Sequence, residues 1–367
     1  MSDVDVVVIG AGIVGLAAAR ALAGERARVL VVERRRVGGE ASSAAAGILA
    51  PQAEAEAETP LLPLTLASRD HHASFGPALE AETGVGLDYS ARGVLAVALD
   101  EPRERELLAR AEWQRARGLA VEVLGPDEVR EAEPNVNPAV RCALFFEGDH
   151  CVDNVRLVKA LAASAVARGA SILSGRPVTE LLVEAGRVAG VRAGNETFRA
   201  PVVLSAMGAW SGRLAGDPVP PPVEPVRGQI VAFDVSPPLF RHVAFSAHGY
   251  LVPRSDGRLL AGSTTERAGF DKSVTAGGLR AVIGTALEIA PALGDVRIAD
   301  SWAGLRPGTP DGLPVIGPGA LPGLFHASGL YRNGILVGPL VGEIAVDLIQ
   351  GRPPRVDVSA FSLDRFR

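Results

Sequence analysis

Residues 4–15, VDVVVIGAGIVG, place the run Val6, Val7, Val8 and Ile9 directly ahead of glycines at positions 10, 12 and 15. β-branched residues without polar interruption predict a short strand over residues 4–9, buried on both faces. The alanine-rich segment 15–24, closed by a glycine, predicts a helix, and residues 28–32 predict a second apolar strand. Strand, helix and strand within roughly 30 residues form a βαβ unit, which requires a parallel sheet and a right-handed crossover. The apolar run is not read as a signal or membrane anchor. It follows Asp3 and Asp5 instead of a basic segment and carries glycines at fixed offsets.

In this context each glycine has a task. Gly10 permits the tight turn, Gly12 lets the backbone approach a pyrophosphate, and Gly15 lets helix pack on strand. The helix N-terminus then faces the phosphates, and Glu33, at the end of the second strand, is placed for ribose hydroxyls. A dinucleotide site is expected. A glycine turn selected for packing alone would leave Glu33 without a purpose.

The chain has 367 residues, enough for two domains, with 47% apolar and 22% charged residues and a net charge of −5. That charge argues against a polynucleotide partner. No segment outside the first 24 residues is apolar enough to span a membrane, so no membrane partner is expected. Two cysteines, Cys142 and Cys151, frame no disulfide scaffold, and no Cys/His spacing implies a metal. A reducing cytoplasm is the expected location.

Further along, residues 88–99 read as an antiparallel strand pair around Gly93, and residues 101–117 and 127–132 as helices. Residues 143–146 read as a strand, 153–168 as an amphipathic helix with Asp153 at its start, and 178–193 as a hairpin turning at Gly186. Strands dominate residues 228–263, and 274–293 reads as a helix. The acidic tract AEAEAE at 53–58 is read as a solvated loop or helix end without function, and DPVPPPVEP at 217–225 as a crossing between domains. The expected fold is α/β: a discontinuous Rossmann-like domain from residues 1–84, 147–216 and 302–367. Residues 85–146 and 217–301 would form a substrate domain with a largely antiparallel sheet.

Two further runs carry chemistry. The small residues of SSAAAGIL, 42–49, would let a ring system or pyrophosphate lie against backbone, and SAMGAW, 205–210, brings a strand into Gly208 and Trp210. Plain tight packing is the alternative for both. In AGLRPGTPDGLP, 303–314, one guanidinium, Arg306, sits among glycines and prolines. It cannot lose its charge, so it needs an anion or an ion pair such as one with Asp311.

VVVIGAGIVGLAAARAL, SSAAAGILAP, VVLSAMGAWS, YLVPR, AGLRPGTPDGLPVIG and YRNGILVGP, in that order, resemble the D-amino-acid oxidase superfamily of flavoproteins. Within it the resemblance is greatest to the glycine oxidases associated with thiamine biosynthesis, and it covers nearly the whole chain. It implies non-covalent FAD, since related sarcosine oxidases attach flavin through a cysteine in the C-terminal half and none follows Cys151. The ADP half would lie on Gly10, Gly12, Ile13, Val14, Gly15, Glu33 and Arg34, with Val178 near the adenine. Ser42, Ser43, Ala46, Gly47 and Leu49 would follow the pyrophosphate and flavin, with Gly208 and Trp210 alongside.

Arg332, Asn333, Gly334, Ile335 and Leu336 would form the loop and helix start at the isoalloxazine. A helix from Gly334 to Ile349 would aim its positive end at the flavin N1/C2=O edge; an ordinary cap by Asn333 is the alternative. The resemblance further implies that Arg306 grips a substrate carboxylate, that Tyr250 adds a hydroxyl to it, and that Arg332 lines the other side. His248 matches a histidine near the site in some relatives, or is a plain strand histidine.

Implied partners are a small amino acid, molecular oxygen and further copies of the chain. The implied reaction is oxidative deamination of glycine with release of hydrogen peroxide. A D-amino-acid or sarcosine-type dehydrogenase and a non-catalytic flavin-binding protein are the alternatives. One departure concerns GSTT, 262–265: Thr265 stands where the glycine oxidase pattern has methionine.

Overall fold

The computed structural model describes residues 4–367. Its first strand, Val6–Ile9, leads into a helix, Ile13–Gly24, and a strand, Val29–Val32, that pairs in parallel with the first. Side chains of the strand alternate between two cores. Val6 and Val8 pack under helices, whereas Val7 and Ile9 pack against a three-stranded antiparallel meander formed by residues 178–199. A strand covered on both faces needs apolar residues at every position, which is why VVVI shows no polar alternation.

Six strands form this sheet, in the order Val315–Pro318, Leu324–Ser328, Val202–Ser205, Val6–Ile9, Val29–Val32 and Ser171–Leu173. Only the edge pair Val315–Pro318 with Leu324–Ser328 is antiparallel. Helices Ile13–Gly24, Leu61–Thr83, Asn154–Ala167 and Gly334–Ile349 share the core on one face. The last of these lies close against the first. A β-carbon on Gly338 would stand 2.6 Å from Ile13, and one on Gly342 2.6 Å from Ala17. Both N-termini thereby open onto the same cleft.

The second large sheet has eight strands and is antiparallel except where Val243–Phe245 runs parallel to Val94–Ala98. Its longest members, Glu224–Asp234 and Ile298–Gly308, pair along their length. Helix Ala276–Ile289 covers one face through Val282, Ala286 and Ile289. The other face packs Ile230 and Tyr250 toward Ala46 and Ala50 of the connecting strip. The fold is therefore mixed α/β, a parallel sheet joined to a largely antiparallel one.

Several local expectations change. Residues 88–99 hold one strand, Val94–Ala98, not a pair: its partners are Cys142–Phe146 and Val243–Phe245, while Ser90 bridges Cys151. The helix expected over 274–293 is Ala276–Ile289, capped by the Thr275 hydroxyl, and a 3-10 turn begins at Pro291. The helix Leu61–Thr83 had no counterpart in the sequence reading. The expected boundary at residue 302 falls inside Ile298–Gly308, a strand of the antiparallel sheet. Among the described residues no helix is long and apolar enough to cross a membrane.

Candidate active site

The two large sheets meet along residues 41–48. There a cleft runs from Ile13 and Ser42, past residues 44–47, to Tyr250, Arg306, Arg332 and Gly334. At its first end the glycine turn is built as the spacing required: a β-carbon on Gly15 would stand 2.0 Å from the Gly10 carbonyl oxygen, so any side chain would push helix from strand. Glu33 is 7% exposed, and its two oxygens accept from the Ala11 N–H at 2.8 Å and the Arg35 N–H at 2.9 Å. Each oxygen keeps a lone pair for a ligand hydroxyl.

Ser42 Oγ accepts from the Ile13 N–H at 3.0 Å, pinning the small-residue strip to the helix start. Gly12, the residue before that helix, offers no side-chain cap, and Val14 is buried inside its first turn. Arg34 pairs with Glu40 and lies 3.4 Å over the ring of Trp210, which follows Gly208 in a short 3-10 turn. Phe270, which the sequence reading did not single out, packs against Trp210 with ring centroids 5.2 Å apart. Val178 opens the meander and packs near its core, away from the cleft lining.

Residues 42–47 are held by side chains from both sides. Asn154 Nδ2 donates to the Ser42 and Ser43 carbonyls at 2.8 and 3.1 Å. Ser43 Oγ donates to the Gly38 carbonyl at 2.5 Å. Arg254, 7% exposed, donates to the Ala46 and Val152 carbonyls and to Asn154 Oδ1, and Trp302 Nε1 donates to the Ala44 carbonyl at 2.9 Å. Leu49 is fully buried beneath this strip. Arg254 was legible in YLVPR by the argument applied to Arg306, an arginine embedded in an apolar run. In place of an anion its guanidinium meets neutral acceptors, two backbone carbonyls and an amide oxygen.

At the other end Arg306 makes no ion pair among the described residues. Its guanidinium donates to the Thr264 carbonyl at 3.1 Å and to Ser263 Oγ at 2.6 Å and faces the cleft. The alternative partner is engaged elsewhere: Asp311 pairs with Arg365 at 2.7 Å. Tyr250 stands on the same wall, edge-on to Phe245. Arg332 approaches Glu54, with Nε 3.5 Å from the carboxylate.

Glu54 corrects the reading of 53–58 as solvated throughout. It ends the short helix Pro51–Glu54, its side chain lines the cleft, and burial pushes its carboxyl upward, opposed by Arg332 and Arg306. Asp149, fully buried, anchors that helix by accepting from the Gln52 and Ala53 N–H groups at 3.0 and 2.8 Å. Long-range packing decided this, since AEAEAE alone has no apolar periodicity to reveal a buried face.

His248 lies in the turn before Tyr250 and bonds Glu288 at 3.0 Å, away from Arg306; it borders an outer vestibule with Thr265. Asn333 holds the position before helix Gly334–Ile349, but its side chain makes no capping bond. The first-turn N–H groups of Gly334, Ile335 and Leu336 are therefore not taken by a side-chain cap, and Gly334 and Ile335 line the cleft.

Residues 5–348 match the model of the DAO family, described as FAD dependent oxidoreductase. The chain belongs to this family. It is 36% identical to a glycine oxidase of Geobacillus kaustophilus over 366 residues, covering 98% of this chain and 97% of that protein. The crystal structure of glycine oxidase from Geobacillus kaustophilus superposes with a TM-score of 0.95 at 34% identity, covering 99% of both chains. The crystal structure of L-proline dehydrogenase from P. horikoshii superposes with a TM-score of 0.89 at 26% identity, covering 100% of this chain and 98% of that one.

The cleft of this DAO-family oxidoreductase suits FAD on its own geometry. A carboxylate with spare lone pairs stands at the turn, an arginine–tryptophan pair beside it, and a strip of small residues follows. The N-terminus of helix Gly334–Ile349 has no side-chain cap, and at that of Ile13–Gly24 Ser42 takes the Ile13 N–H; the electron-rich edge of the ring and the diphosphate would each meet the remaining N–H groups.

Proposed function

We propose that this protein catalyses the oxidative deamination of glycine or another small amino acid by oxygen, giving the oxo acid, ammonia and hydrogen peroxide, in the service of thiamine thiazole synthesis. The observation that carries this reading is Arg306. It is a permanent cation without a carboxylate partner, held by neutral acceptors and aimed into the cleft beside Tyr250. A guanidinium so placed awaits a ligand anion, and its fork suits a carboxylate.

FAD, when bound, supplies the two-electron acceptor that takes the hydride from the substrate Cα. The chain supplies positioning. Arg306 and the Tyr250 hydroxyl bind the carboxylate, and Arg332, restrained by Glu54, closes the opposite wall. Orientation of the Cα–H lowers the barrier without a dedicated base. Gly10, Gly12, Ile13, Val14, Gly15, Glu33 and Arg34 hold the ADP half, Ser42, Ser43, Ala46, Gly47 and Leu49 the middle, and residues 332–336 the ring. Binding is non-covalent: both cysteines, Cys142 and Cys151, are buried and neither lines the cleft. Two free thiols also fit a reducing cytoplasm. Self-association into a homo-oligomer is part of the proposal, carried by likeness to the glycine oxidases.

The likeness to L-proline dehydrogenase, with Thr265 on the vestibule wall, favours a second reading, a dehydrogenase of a secondary amino acid. Anaerobic mixing of the yellow protein with glycine, sarcosine, D-amino acids and proline separates the readings. Bleaching by glycine followed by stoichiometric peroxide on admitting air supports the first. Bleaching by proline alone, without peroxide, supports the second, and no bleaching by any of them removes both.

A further inference from the structure

Helix Gly334–Ile349 contains Pro339 in its second turn. Proline has no N–H, so the carbonyl of Ile335, four residues earlier, has no intrahelical donor. That carbonyl nevertheless has one. His72, on the neighbouring helix Leu61–Thr83, places Nε2 3.1 Å from the Ile335 oxygen and 2.9 Å from the Leu336 oxygen. Both facing atoms are acceptors only, so Nε2 carries the proton. His72 is 1% exposed, and burial pushes its imidazole down to about 4, which keeps it neutral through the physiological range. Its neighbour His71 approaches Glu343 of the same helix at 3.4 Å, giving a second tie between the two helices.

We propose that His72 is a positioning residue for the cofactor: it supplies the donor that Pro339 withholds, and so fixes and polarises the helix turn facing the flavin. The peptide unit whose carbonyl accepts from His72 includes the Leu336 N–H. A hydrogen bond to a peptide oxygen strengthens the donor at its other end, and cooperative polarisation of this kind adds to the positive end of the helix. Negative charge gained by the ring on reduction is then stabilised more than the oxidised ring is. The inference rests on the reading that the flavin lies against the Gly334 turn.

The test is the midpoint potential of the bound flavin, measured on the holoenzyme by photoreduction against reference dyes, with no amino acid present. His72→Ala and the bulkier His72→Leu are each made alone and together with Pro339→Ala, which returns an N–H to Ile335; His72→Gln keeps a donor. Loss of the donor is expected to reduce the preference for reduced over oxidised flavin about tenfold, a fall of about 30 mV for a two-electron couple. Pro339→Ala and His72→Gln are each expected to recover most of it.

An unchanged potential in a folded variant that lacks the His72 donor and keeps Pro339 overturns the proposal, as does a fall that neither rescue reverses, which would mark His72 as packing alone. Donor-less variants that fold only with Pro339→Ala and then keep the wild-type potential support it. Because no substrate is used, failure of glycine to reduce the wild-type flavin would remove the proposed reaction and leave this result standing.

Discussion

The guanidinium of Arg306 lies directly over Gly228. A β-carbon at residue 228 would stand 2.3 Å from both terminal nitrogens of Arg306, an impossible contact. The arginine comes from Ile298–Gly308 and the glycine from the paired strand Glu224–Asp234, where Val226 is directly opposite Arg306 and Gly228 is its diagonal neighbour. Gly228→Ala must therefore turn the guanidinium away from Ser263 and Thr264. The expected outcome is a KM for glycine raised about 10-fold to 100-fold, or roughly 1.4 to 3 kcal/mol, with FAD content unchanged. Steady-state kinetics with an unaltered KM would remove Arg306 from carboxylate binding.

Removing the cation itself should cost more. Arg306→Ala deletes one member of a desolvated pair and is expected to raise KM about 30-fold to 1000-fold, roughly 2 to 4 kcal/mol of mostly uniform binding. The absorption spectrum of the flavin should persist, because among the described residues Arg306 bonds to Thr264 and Ser263 alone. Loss of flavin on mutation would place the residue in cofactor binding instead.

Glu33→Ala leaves the Ala11 and Arg35 N–H groups without their acceptor and removes the expected ribose contacts. Hydrogen bonds to a charged acceptor contribute about 1.5 to 3 kcal/mol, so FAD should bind roughly 10-fold to 100-fold more weakly. Fluorescence titration of the apoprotein measures this. Wild-type affinity would move the adenosine elsewhere.

Asp149 links the site to pH. Burial pushes its carboxyl from 3.8 up to about 7, against the pull of the Ala53 N–H and Arg69. With the folded value raised, the folded state holds the proton more tightly, so this contribution to stability is complete below about pH 4 and is lost as pH rises through 7. Asp149→Asn cannot ionise. Its stability relative to wild type should therefore improve between pH 5 and pH 8, by at most roughly 3 kcal/mol. Thermal melts showing the same offset at both pH values would contradict this.

Legibility followed the range of the interactions. The βαβ unit could be read from residues 4–33 because strand pairing, turn and helix packing all involve neighbours in sequence, and the helix Gly334–Ile349 matches its expected ends. Arg306 was conspicuous because a charge among glycines and prolines is costly without a partner. Glu54 and His72 were not conspicuous. Each acquires its meaning from a residue more than 100 positions away, Arg332 and Ile335 respectively.

The sequence alone therefore determined the nucleotide-binding half, the family pattern and the presence of an arginine in want of an anion. Only the tertiary structure decided what that arginine touches, that an acidic tract turns one carboxylate into the cleft, and that a buried histidine completes a proline-broken helix. Local periodicity and spacing encode secondary structure, whereas the burial of a polar group and the identity of its partner exist only once distant strands and helices have closed around it.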